Sequence, residues 1–171
     1  MELEVTQIFP TVIGQLPVPD AGAMNQELRA LILAEEAKQA SVGRSNIGGW
    51  HSRPDFLKRQ EPAVGALTTW IIWAVSKMVA ATAGPEVFKG TLYASAWATI
   101  CRAGVYHAPH SHPDSAWSGV YYVDAGTSNP EYPLSGVLEF LDPRAGAEAV
   151  TAPGDPYGEA VQPWADRSAV R

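Results

Sequence analysis

The sequence predicts an α+β fold, mainly β, in which two helices pack on the outside of an antiparallel β-sandwich. Helical periodicity is confined to the first half of the chain. After Gly90 the apolar residues follow the two-residue period of strands, in short runs separated by Gly, Pro, Asn and Asp. Helices followed by strands within one domain are typical of this class. The 171 residues suit a single domain, which we expect to span residues 1–171.

Two helices are predicted from apolar spacing and from their boundary residues. The first covers about residues 23–39, with Asp20 as the candidate cap and the acidic pair Glu35–Glu36 on a solvated face. The second begins at Pro62, which suits a first helical position, and ends before Gly84. Its apolar stripe, which we expect to cover the sheet, consists of Leu67, Trp70, Ile71, Ala74, Val75, Met78 and Val79.

Four strands are predicted. Residues 3–13 alternate and are rich in Val, Ile, Phe and Thr, which suits an opening strand. Three further short runs, 92–101, 117–123 and 136–141, are bounded by turn-forming residues. Cys101 is expected to lie in the second of the four strands as a small buried apolar residue.

Composition excludes several classes of function. A net charge of −6 argues against general nucleic-acid binding, because phosphates demand a basic surface, and gives no reason to expect an anionic membrane as partner. The single cysteine excludes an internal disulfide. The amino terminus lacks the pattern of a signal peptide, and the apolar run 70–75 is far shorter than the roughly 20 residues that span a bilayer. We therefore expect a cytoplasmic protein without membrane contact.

Three of the four histidines lie within six residues, at His107, His110 and His112. Imidazole is a common protein ligand for iron, zinc, copper and nickel. On extended chain, residues i and i+2 point to the same side about 6.6 Å apart, whereas His107 would face the opposite side. The spacing therefore predicts His110 and His112 as a metal-binding pair facing one interior space. Asp114 is a further carboxylate that could bind the metal if His112 does not.

The segment His110–Val123 resembles a group of bacterial oxygenases that depend on 2-oxoglutarate and iron(II). Three further pieces agree with that family in order and spacing: Phe9–Thr11, Ser45–Ser52 and Ser135–Arg144. The resemblance extends from about residue 8 to about residue 158. Because four separated motifs agree, it is more specific than two spaced histidines alone would be.

This resemblance implies a double-stranded β-helix, the cupin-like jelly-roll fold, with His110 and His112 as the near iron ligands. It also implies 2-oxoglutarate as cosubstrate and the hydroxylation or other oxidation of a small-molecule or peptide substrate. Related oxygenases add a distal histidine, followed by a basic residue that anchors the 2-oxoglutarate carboxylate. No histidine follows His112, so the third ligand is unknown and we expect the domain to be incomplete after about residue 160. We accordingly expect this chain to bind iron weakly and to show little turnover.

Four residues are candidates for contact with substrate or cosubstrate. Tyr122 and its neighbour point to opposite faces of a strand, so one of them faces the interior. Trp50 belongs to a loop that is a candidate lid or substrate edge. Ser118 offers a hydroxyl beside the histidines, or a hydrogen bond at the edge of the strand. Arg144 could bind a carboxylate in a fork geometry, or bond to its own turn.

Two alternatives stay open from the sequence. The chain could be a non-catalytic or degenerate jelly-roll module that binds a metal or another ligand. It could also be a cupin-like metalloenzyme that needs no 2-oxo acid, although cupins add Glu and His ligands at spacings not found here. A homodimer is left open as well.

Overall fold

The computed structural model describes residues 4, 11–84, 89–127, 131 and 136–141. Within these residues it contains two α-helices, one short 3-10 helix and four two-residue strands. In chain order they are α1 (Gly22–Glu36), β1 (Asn46–Ile47), β2 (Trp50–His51), the 3-10 helix (Phe56–Lys58), α2 (Pro62–Ala83), β3 (Thr99–Ile100) and β4 (Tyr106–His107).

The four strands form two small antiparallel ladders that follow one another along the same two stretches of chain. β1 pairs with β4, and β2 pairs with β3. Between the ladders, residues 48–49 face the longer stretch 101–105, which turns back on itself through a hydrogen bond from Val105 N to Arg102 O of 3.0 Å. This bulge shifts the register and sets the direction in which the chain enters β4.

Two glycines make the bulge possible. Gly48 has a φ of +78°, a conformation that costs glycine little and L side chains more. A Cβ at Gly49 would lie 2.7 Å from Val105 Cγ1 and 2.9 Å from Ile100 O. The backbone at Gly49 therefore approaches the facing segment, residues 100–105, more closely than a side chain at this position would allow.

The hydrophobic core lies where α1, α2, the 3-10 helix and β2 meet. Trp50 belongs to it, and its indole nitrogen donates to Gln39 O at 2.9 Å, so its polar edge is satisfied while the ring is buried. Partly buried residues of the 117–123 segment, Tyr121 and Val123, pack against the same cluster. The buried core residues are Leu28, Trp50, Phe56, Ala63, Val64, Leu67 and Ala98.

The bounds predicted for the second helix are confirmed, but its partners differ from the prediction. Among the described residues, α2 packs mainly against α1 and the 3-10 helix, and it shares the core cluster with Trp50 of β2. Its buried residues, Ala63, Val64 and Leu67, lie in its first two turns, whereas Ile72 and Trp73 are 48% and 43% exposed. Burial therefore decreases along the helix, although the apolar sequence continues to its end.

α2 is also long and apolar enough to cross a membrane by length and composition. An 18-residue window of this 22-residue helix reaches a mean hydropathy of 1.5, and 17% of that window is buried. The apolar part of this helix is therefore longer than the run 70–75 on which the sequence-based expectation relied. Since a core helix can meet the same criterion, and α2 supplies core residues, the absence of membrane contact stays a prediction.

Two predictions about α1 were wrong. Asp20 does not cap the helix: it lies in a turn with a φ of +52°, and Ala21 takes the cap position without a side-chain hydrogen bond. The pair Glu35–Glu36 is not a solvated face. Glu35 is buried and ion-paired with Arg59, and Glu36 accepts two hydrogen bonds from Arg102 at 2.6 and 2.8 Å.

Most of the predicted strand length carries no ladder in the described residues. Of the run 92–101 only Thr99–Ile100 is a strand, and 117–123 and 136–141 lie outside regular secondary structure. A strand requires a paired neighbour as well as a suitable sequence, and the described chain supplies few such neighbours. The opening run 3–13 falls mostly outside the described residues. Cys101 follows β3 and is exposed, contrary to prediction. The jelly-roll fold stays a prediction.

Candidate metal centre

The side chains of all four histidines are linked by direct contacts through two other residues. The rings of His110 and His112 lie edge to face, with centroids 4.8 Å apart. The Ser45 hydroxyl lies 3.4 Å from both His107 Nδ1 and His110 Nε2. Trp97, described below, connects the fourth histidine. We call the group His51, His107, His110 and His112 with Ser45 and Trp97 the histidine cluster.

His110 and His112 are adjacent, as their spacing predicts, but the space they share is not interior. His110 is exposed and His112 is half-buried. His110 Nδ1 lies 2.8 Å from Ala108 O, and a carbonyl oxygen only accepts, so Nδ1 carries the hydrogen. In the neutral ring this leaves the lone pair on Nε2, the arrangement found in metal-binding histidines whose other nitrogen donates to a carbonyl.

The ring of His112 is held by an aromatic stack. Trp97 stacks on His112 with centroids 5.5 Å apart and on His51 with centroids 5.4 Å apart. His51 is 4% exposed, sits in β2 beside the core residue Trp50, and its Nδ1 lies 2.6 Å from Ser52 O. The stack therefore connects the exposed end of the cluster to the core of the fold.

The pairing of β1 with β4 brings His107 into the cluster. Asn46 is opposite His107 in this ladder, and Ser45, the residue before β1, accepts a hydrogen bond at its carbonyl from Ala108 N at 2.9 Å. The side chain of Asn46 holds the loop from inside: its amide donates to Gly49 O at 2.8 Å and its oxygen accepts from Arg44 N at 2.9 Å. Ser45 is thus fixed opposite the imidazoles by backbone and side-chain bonds.

The prediction that His107 faces away from the pair was wrong. The strand alternation on which it relied ends at His107 itself, the last residue of β4, so residues 108–112 are free to turn His110 back toward Ser45. Desolvation lowers the pKa of His107, and the nearby imidazoles of His110 and His51 lower it further. The neutral form of His107 is thereby favoured. The clustering of three histidines within six residues was the sequence signal that pointed to His107. The alternation of side chains along a strand pointed away from it.

Among the described residues, His110 and His112 are two candidate metal ligands side by side, and no third one completes the set. Among the residues that the structure describes, no group of three or more His, Cys, Asp or Glu side chains could hold a metal ion. Asp114, predicted as an alternative ligand, is exposed, has a φ of +63° and does not complete such a group. Glu139, the carboxylate of the run 136–141, is exposed and does not complete one either. The two imidazoles fit the near half of an iron site, and the described chain leaves it incomplete.

The predicted contacts with substrate or cosubstrate separate into different environments. Trp50 is a core residue, which does not fit the predicted lid or substrate edge. Tyr121 packs against the core and donates to Asn25 Oδ1 at 2.5 Å, whereas Tyr122 is 38% exposed and partial burial raises the pKa of its hydroxyl. Ser118 is exposed. Arg144 lies outside the described residues.

A comparison with protein-family models matches residues 95–166 to the family described as "Putative 2OG-Fe(II) oxygenase". The matched part is fewer than half of the 171 residues and includes Trp97, His107, His110 and His112. It supports a general oxygenase-type function and, through the family, iron(II) and 2-oxoglutarate. Searches of curated proteins and of solved structures found no match.

Proposed function

We propose that this protein is a non-haem oxygenase-type protein that binds iron(II) through His110 and His112 and uses 2-oxoglutarate as cosubstrate. Its substrate would be a small molecule or a peptide. The observation that carries the proposal is the contact between the two imidazole rings inside the segment that matches the oxygenase family. Their centroids are 4.8 Å apart.

The residues of the cluster have distinct tasks in this proposal. When bound, iron(II) together with a 2-oxo acid would activate dioxygen, which is the oxidant in enzymes of this kind. His110 presents Nε2 because Ala108 O holds the hydrogen on Nδ1. Trp97 covers one face of His112 and limits the rotation of its ring. Ser118, Tyr122 and Arg144 remain the proposed contacts for substrate or cosubstrate.

Metal titration tests the proposal most directly. We expect the wild-type chain to bind Fe(II) under anaerobic conditions, or Ni(II) as a redox-stable substitute, in a calorimetric titration. His110→Ala and His112→Ala should each abolish this binding, because a single imidazole is a poor site for a first-row ion. Asp114→Asn is the matched control and should leave the affinity unchanged. Binding that survives both histidine variants would refute the assignment of the pair.

A second candidate is favoured because no third ligand is found among the residues that the structure describes. With two imidazoles and no completing group among the described residues, the chain would act as a metal-binding module without catalysis. Succinate release from 2-oxoglutarate, with Fe(II) and ascorbate, separates the two. Metal binding without succinate favours the module, and succinate release that disappears in His110→Ala favours the oxygenase. Oxidation of a substrate without any 2-oxo acid would instead favour the cupin-like alternative.

A further inference from the structure

Ser45 belongs to a motif that the proposed function does not use, yet its hydroxyl faces the atom that would bind the metal. The Ser45 hydroxyl oxygen lies 3.4 Å from His110 Nε2 and 3.4 Å from His107 Nδ1. Ser45 is half-buried, so its hydroxyl is partly shielded from water. A single hydroxyl therefore stands between two imidazole nitrogens.

The directions of these hydrogen bonds follow from counting hydrogens. Ala108 O can only accept, so the hydrogen of a neutral His110 is on Nδ1 and its Nε2 can only accept. The Ser45 hydroxyl carries one hydrogen, which it must donate to His110 Nε2. His107 Nδ1 must then be the donor to Ser45 Oγ. The result is one directed chain from His107 through Ser45 and His110 to Ala108 O.

Resting on the proposed function, we propose that Ser45 is a positioning residue that holds the coordinating nitrogen of His110 while no metal is bound, and that metal binding must displace its hydroxyl. The same lone pair cannot accept the Ser45 hydrogen and bind an ion. Ser45 therefore orients His110 and at the same time competes with the metal.

The position of Ser45 is set independently of the imidazoles. Its carbonyl accepts from Ala108 N, and the next residue, Asn46, is bonded to Arg44 N, Gly49 O and Ser41 Oγ. Removing the hydroxyl should thus leave the loop in place. The effect of the substitution on metal binding then reports on the hydroxyl itself.

The test compares Ser45→Ala with Ser45→Thr and Ser41→Ala in the full 171-residue chain. Ser45→Thr keeps a hydroxyl at the same place. Ser41→Ala removes a hydroxyl of the same loop that bonds Gly49 O, Asn46 Nδ2 and His51 N but no imidazole ring. Two measurements are made on each: Ni(II) affinity by calorimetry, and the imidazole ¹⁵N chemical shifts of the metal-free protein.

We expect Ser45→Ala to bind Ni(II) roughly two- to tenfold more tightly, the range that corresponds to one net hydrogen bond. The ¹⁵N shift of His110 Nε2 should move toward that of a free lone pair, while Nδ1 stays protonated. Ser45→Thr and Ser41→Ala should match the wild type in both measurements.

Unchanged or weaker Ni(II) binding in Ser45→Ala would overturn the inference, as would an unmoved Nε2 shift. An equal gain in Ser41→Ala would do the same, because it would trace the effect to a loosened loop. Failure of the proposed function looks different: His110→Ala would then keep the wild-type Ni(II) affinity.

Discussion

At the residue scale, the close approach at Gly49 makes a sharp prediction about stability. Gly49→Ala should lower the free energy of unfolding by about 1–3 kcal/mol, because its Cβ would lie 2.7 Å from Val105 Cγ1 and 2.9 Å from a backbone oxygen that cannot move freely. Urea denaturation monitored by tryptophan fluorescence measures the change.

Gly65→Ala is the matched control for Gly49→Ala. Gly65 lies within α2 and is exposed, and a Cβ added there would meet no neighbouring atom within 4 Å. The added methyl group should therefore stabilise the helix by about 0.5–1 kcal/mol. If both substitutions shift stability in the same direction, the contact at Gly49 is not the cause.

The candidate site shows how far single residues can be interpreted from sequence. The i, i+2 spacing was enough to place His110 beside His112. It could not reveal Ser45 or His51, which are more than 45 residues away from this pair in the chain. Ser45 reaches the cluster because β1 pairs with β4, and His51 because β2 pairs with β3. Residues that are contributed by distant segments leave no local pattern.

At the element scale, the packing of α1 against α2 predicts where truncation is costly. Leu28→Ala should destabilise the protein by about 2–5 kcal/mol, because Leu28 is fully buried and its removal leaves a cavity. Ile72→Ala, at a position 48% exposed in α2, should cost less than about 1 kcal/mol. Thermal or urea denaturation provides both values, and a larger loss for Ile72→Ala would show that α2 is covered by another surface.

The helices were predictable and the strands were not, for a physical reason. The ends of α2 are set by Pro62 and Gly84, which act locally through a missing N–H group and a φ of +86°. The ladders instead depend on which distant segment of the chain pairs with each strand. They also depend on a bulge whose length is not determined by the local sequence. The segment 117–123 has a strand-like sequence but no ladder in the described chain.

At the scale of the whole molecule, charged residues of α1 connect distant segments of the chain. Arg102, just after β3, pairs with Glu36 at the end of α1, and Arg29 of α1 pairs with Asp124 at 3.3 Å. Together with the bond from Tyr121 to Asn25, these contacts join α1 to both stretches that flank the histidine cluster. Sequence periodicity identifies such residues as polar but does not identify their partners.

These pairs predict that stability is lost in acid. The hydrogen bond from Arg102 lowers the pKa of Glu36, and the Gly126 backbone N–H followed by Arg29 lowers the pKa of Asp124. Because both pKa values are lower in the folded state, the unfolded chain binds more protons in acid, and stability rises with pH in that range. Their contribution is complete above the unfolded values, near pH 4, and is lost as pH falls through the folded values.

The measurement is the free energy of unfolding by urea between pH 3 and pH 7, in wild type, Glu36→Gln, Arg102→Gln and the double variant. Each single variant should show a weaker loss of stability in acid than the wild type, and the double variant should add little, because the two side chains act as one pair. Added salt should reduce the difference at an exposed pair. If stability depends on pH in the same way in the wild type and in Glu36→Gln, the ion pair between Glu36 of α1 and Arg102 after β3 does not form in solution.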